Sequence, residues 1–144
     1  MKTVHALFIV MGVFLTSQLT AQENEPKKYS NPEWYQVVHV DYKAGKEDAA
    51  RKIINDYFKK ASDKAGTSKP VMELALNTGD YDYLYIWKLE EGLQSLDWEI
   101  SPQGLKWQKA FEEMVGGKDK AKELGDEYSS YVSKVKVELA RKDN

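Results

Sequence analysis

The chain has 144 residues, no cysteine and a formal charge of −2. That length allows one domain, and the missing cysteine excludes disulfides, thiol nucleophiles, iron–sulfur clusters and cysteine-ligated zinc. The mild acidity excludes a global attraction for nucleic acid or for an anionic membrane.

Lys2 followed by the apolar run 6–15 and an exit through small Ala21 reads as a secretory signal, residues 1–21, cleaved before Gln22. The run falls well short of the roughly 20 residues that span a bilayer. The mature chain is therefore expected to be exported, to the periplasm or the medium, with no membrane span. Without disulfides it has to be held by its core. Residues 22–33 are polar, carry two prolines and show no period, as a flexible linker does; residues 34–144 are expected to form the single domain.

Within that domain, "WYQVVHVDYK" (34–43) alternates and is rich in β-branched and aromatic residues, a first strand. Ala49, Ala50, Ile53, Ile54, Tyr57, Phe58, Ala61 and Ala65 then mark one stripe of a helix over about 46–65, closed by Gly66. "KPVMELALNTGDYDYLYIWKL" predicts two strands about an "NTGD" turn. After an irregular connection, Ser101 as N-cap and Pro102 behind it start a second helix. Gly116 and Gly117 break it, and "KDKAKELGDEY" resumes helical spacing. In the tail, Leu124, Tyr128, Tyr131, Val135 and Leu139 fit a helical stripe, whereas Val135, Val137 and Leu139 alternate with charges as a strand does. The strand, over about 132–140, is the expectation, because Val-Lys-Val-Glu-Leu suits a half-exposed pleat.

The order strand–helix–strand–strand–helix–strand is the ferredoxin-like pattern: an α+β fold with an antiparallel sheet, helices on one face and here an extra C-terminal helical insertion. The run "WYQVVHVDYKAGKEDAARKIINDYFKKA" resembles the start of dimeric α/β-barrel domains, among them antibiotic-biosynthesis-monooxygenase-type and stress-responsive barrel domains. Ala44 stands where the family turn usually has proline. The resemblance implies a homodimer whose two sheets face each other as a barrel. It names no single cofactor or activity, since members range from haem-handling enzymes and monooxygenases to proteins of no known activity.

If the aliphatic side of each strand meets the helices, Val38 and Val40, Met72, Leu74 and Leu76, and Leu84 and Ile86 go to the core. The helix-free face then carries His39, Glu73 and the alternating ring ladder Tyr81, Tyr83, Tyr85 and Trp87. So large an aromatic face calls for a partner or a ligand. His39, alone after cleavage, is the candidate general base or haem ligand, and Glu73 the candidate proton acceptor. His39 is expected to be substantially buried and within reach of Tyr83 or Tyr85. Tyr83, Tyr85 and Trp87, with Trp98 and Trp107 at the barrel mouth, are the candidates to hold a small aromatic or hydrophobic ligand. The same residues also read as plain packing: a strand histidine with a neighbour, a rim carboxylate, a dimer core. One histidine among scattered carboxylates lacks metal-ligand spacing. Two further readings stay open, a haem-handling or cofactor-light monooxygenase and a non-catalytic dimeric interaction protein.

Overall fold

A computed structural model describes residues 25–143; the expected signal segment and the start of the expected linker lie outside the described residues. Four strands, β1 (Glu33–Tyr42), β2 (Met72–Ala75), β3 (Tyr83–Leu89) and β4 (Val132–Lys142), form one sheet in the order β2-β3-β1-β4. Every pairing is antiparallel. The tail is a strand, at the edge of the sheet beside β1. This arrangement fits a ferredoxin-like fold, with two helices in the second crossover where a minimal member has one.

The first crossover is helical from Glu47 to Ala65, but not uniformly. Helix α1 (Glu47–Ile53) runs into a π-helical stretch, Ile54–Phe58, before α2 (Lys59–Ala65) continues to Gly66 in the left-handed conformation. The stretch is marked by the Lys59 N–H donating to the Ile54 carbonyl five residues back. The sequence stripe shows the helix but not this wider turn. Helix α3 (Pro102–Val115) starts where Ser101 Oγ accepts the Gly104 N–H at 2.9 Å. Gly116 and Gly117, both at positive φ, separate it from α4 (Lys118–Tyr131).

The faces of two strands are the reverse of the sequence expectation. Val38 pairs with Tyr85 and Val40 with Tyr83, and these residues share a buried cluster with Ala50 of α1 and with Tyr42. Tyr83 and Tyr85 are only 8 % and 7 % exposed, underneath the helices. Glu73, opposite Tyr85, turns the same way, so β2 is inverted too. Val38 and Val40 do face the helices as expected. The physical reason lies in the rings themselves. A tyrosine is long enough to fill the gap beneath a small Ala50, and its hydroxyl reaches polar partners beyond: Tyr83 donates to Glu47 at 2.9 Å, and the Tyr42 and Tyr85 hydroxyls lie 3.4 Å apart.

The ladder also breaks. Asp82 donates its N–H to the Val40 carbonyl while its carboxylate accepts the Tyr42 N–H, ending the regular β3 pairing. Tyr81 therefore departs from the row and packs on His39, ring centres 5.2 Å apart. The helix-free face is aliphatic towards β2, with Met72, Leu74, Leu84, Ile86 and Val37 on it. Towards β4 it is charged, with Lys134, Lys136, Glu138 and Lys142.

Candidate functional site

Two groups of buried side chains form under the helices. One is the tyrosine cluster on the sheet. The other joins Ala61, Phe111 and Ala121, with Phe58, Trp107 and Leu124 packed against them. Between the two lies a cavity of about 300 Å³. Its floor is Val38, Val40, Tyr85 and Trp87 of the sheet; its roof is Ile54, Phe58, Trp107 and Tyr128 of the helices.

The π-helical stretch builds the roof. It widens the helix by one residue per turn and sets Ile54, Phe58 and Lys59 together on the cavity wall. The Phe58 carbonyl is held from outside the helix ladder, accepting from Ser62 Oγ at 3.2 Å and from the Trp107 indole at 3.3 Å. Phe58 meets Trp107, Phe111 and Tyr128 edge to face. The roof is thus a fixed aromatic frame.

One corner of the cavity is charged. Glu73 accepts from Lys59 at 2.8 Å and from Arg51 at 3.0 Å, and the Arg51 guanidinium also lies over the Tyr83 ring. Burial pushes the Glu73 carboxyl up, but the bonds from Lys59 and Arg51 outweigh it and hold the group below the usual carboxylate range. Glu73 is therefore an anion locked between two cations, a poor proton acceptor. The group carries two positive charges against one negative. The phenols have the opposite bias: burial and the neighbouring hydroxyl push Tyr42 far up, and burial also raises Tyr85 and Tyr128. They are neutral hydrogen-bonding groups.

A second hollow of about 310 Å³ adjoins the first, sharing Ser62, Trp87 and Trp107 and otherwise lined by Thr67, Ser68, Ser101, Gln103 and Gly104. Thr67 Oγ1 is buried there, without a hydrogen-bond partner among the described residues.

Of the residues singled out from sequence, Tyr85, Trp87, Trp107 and Glu73 line the cavity. Tyr83 is walled into the core beside it. His39 sits on the other side of the sheet, where its Nε2 lies 2.9 Å from Glu138, so it shares no space with Tyr83, Tyr85 or Glu73. That corrects the expected His39–tyrosine pairing, and the cause is the inverted face of β3. Trp98 is half exposed and donates its indole N–H to Glu91, away from the cavity. Missed from sequence were Phe58, Lys59 and Tyr128; the signal for Lys59 was its spacing of eight from Arg51, two cations on one helical face. Among the described residues no group of three or more metal-ligating side chains forms.

No protein-family model matches the chain, and no curated protein is significantly similar in sequence. Among solved structures, the chain is similar to a NIPSNAP family protein of unknown function from Agrobacterium tumefaciens, seen in two crystal structures. Both are 12% identical to it. The first superposes with a TM-score of 0.51, over 78% of this chain and 89% of that one. The second gives 0.50, over 74% and 90%. The likeness is one of fold. It supports an α+β fold with an antiparallel sheet, and it carries no activity across.

Proposed function

We propose that this chain is an exported homodimeric binding protein, which holds a small apolar molecule with one acidic group between its sheet and its helix layer. The observation that carries the reading is the cavity. Protein interiors are close-packed, so apolar walls that face an unfilled hollow forgo packing contacts they could otherwise make. A hollow of about 300 Å³ between the sheet and the helices, partly open to solvent, is worth keeping if a ligand fills it, and its size is at the lower end for ligand sites. The walls suit a flat or chain-like hydrocarbon, and the single surplus cation at Arg51–Lys59–Glu73 suits one carboxylate.

Binding is favoured over turnover because Glu73 is already ion-paired and His39 faces away. This weakens the haem-handling or oxygenase alternative. The interaction-protein alternative draws on apolar surface left uncovered: Met72 and Leu74 on one sheet edge and Val135, Val137 and Leu139 on the other, each about half exposed. The same surface supports the homodimer.

Trp87 and Trp107 provide the test. A medium-chain fatty acid or an aromatic carboxylate should change their fluorescence saturably and raise the melting temperature, and the matching alcohol should bind about ten-fold more weakly. Lys59→Met should erase the difference between acid and alcohol. If neither probe alters melting at saturating concentration, the cavity is not a binding site for such molecules.

A further inference from the structure

The edge strand β4 offers a surface that is patterned to meet its own copy. It is the longest strand, 11 residues, and among the described residues it exchanges strand hydrogen bonds with β1 alone. Its outer edge is an open row of backbone donors and acceptors. On the helix side Val135, Val137 and Leu139 are 52 %, 52 % and 49 % exposed, because the helices do not extend over them. On the other side stand Lys134, Lys136 and Glu138. Lysines on an edge strand ordinarily serve to keep strands apart. Here the carboxylate of Glu138, already 2.9 Å from Lys136 in its own strand, changes that pattern.

We propose that two copies of this chain join β4 to β4, antiparallel about a two-fold axis at Val137, into one continuous eight-stranded sheet. The inference rests on the homodimer reading and gives it a surface. The charge pattern selects the register. With the axis at Val137, Val137 meets its own mate, Val135 meets Leu139 of the partner subunit, and Lys136 meets Glu138 of the partner subunit, twice by symmetry. Moving the axis to Lys136 sets lysine against lysine, and moving it to Glu138 sets glutamate against glutamate. An axis at Val135 opposes Lys134 to a lysine, and one at Leu139 opposes Lys136 to Lys142. Only the Val137 register keeps apolar residues on one face and opposite charges on the other. The contact is self-complementary and closes on itself, so it ends at two copies.

The absence of cysteine makes the register testable, since an introduced thiol is the only one present. In the proposed dimer the two copies of residue 137 lie about 4.5–5.5 Å apart at Cα, within disulfide span. The two copies of residue 135 are about 13 Å apart. Under mild oxidation Val137→Cys should give a cross-linked dimer and Val135→Cys should not. Sedimentation should show Lys136→Glu weakening the dimer about ten-fold or more, and Lys136→Glu with Glu138→Lys restoring it. A protein that sediments as a monomer at every concentration overturns both the homodimer and this surface. A dimer that cross-links through Leu84→Cys on the helix-free face, and not through Val137→Cys, keeps the homodimer and overturns the edge pairing in favour of a face-to-face barrel.

Discussion

Glu73 shows how one side chain can be judged by its neighbours. From sequence it is a carboxylate among aromatics, an environment that raises a pKa and makes a general base. The fold supplies Arg51 and Lys59, and the outcome reverses. Because the folded-state carboxyl is depressed, its pairing contributes stability above the ordinary glutamate pKa of about 4.3. That contribution is lost as pH falls through the lower folded value. Glu73→Gln should therefore cost about 1–2 kcal/mol near neutral pH, a partly exposed pair being screened by solvent, and should flatten the acid side of the stability curve in urea titrations. Glu33 is the more extreme case. Bonds from Lys88, Tyr35 and Lys142 hold its carboxyl at about 2, on the surface where added salt weakens them.

At the scale of elements, periodicity revealed what exists and in what order. The alternation of 34–43, the stripe of 46–65, the Ser101–Pro102 start and the Gly116–Gly117 break all correspond to observed boundaries. The tail strand was legible because Val135, Val137 and Leu139 keep period two. What periodicity could not decide was which face of β3 meets the helices. Both faces are apolar, one aromatic and one aliphatic, so burial alone does not choose between them. The choice follows from ring length and hydroxyl partners, and so from Glu47, Ala50 and Tyr42, which lie in other elements. The candidate site inherited that ambiguity: Tyr85 and Trp87 were expected on the helix-free face, whereas they line the hollow on the other side of the sheet, with Trp107 of α3 opposite them. The π-helical stretch was invisible for a related reason, since one extra residue per turn barely disturbs an apolar stripe. Its anchoring is testable. Trp107→Phe removes the donor to the Phe58 carbonyl together with part of the packed indole, and should cost about 2–3 kcal/mol in chemical denaturation.

For the whole molecule, the cavity sets stability against binding. Val38, opposite Tyr85, lines the floor with Trp87, and a larger side chain there would occupy part of the hollow. Val38→Phe should raise stability by about 0.5–2 kcal/mol while abolishing the fluorescence response to an apolar acid. A destabilised Val38→Phe protein would mean that the space is already filled by side-chain motion. The β4 edge belongs to this scale as well, because joining two sheets leaves both cavities untouched and open to the same solvent.

The π-helical stretch also bears on how such a cavity arises and disappears. Each residue of an α-helix turns the chain by about 100°, so losing one codon within 54–58 would return this turn to the common repeat. A wide turn takes up its extra residue locally, so the side chains from Lys59 to Ala65 would keep their bearing while the segment between Ile54 and Phe58 closed up. Lys59 would stay near Glu73 and Ser62 on the Phe58 carbonyl four residues before it, so that only the roof changed. A single inserted or deleted codon at exposed Asn55 is thus enough to reshape the roof of the interior, a far shorter evolutionary path than rebuilding its walls one substitution at a time.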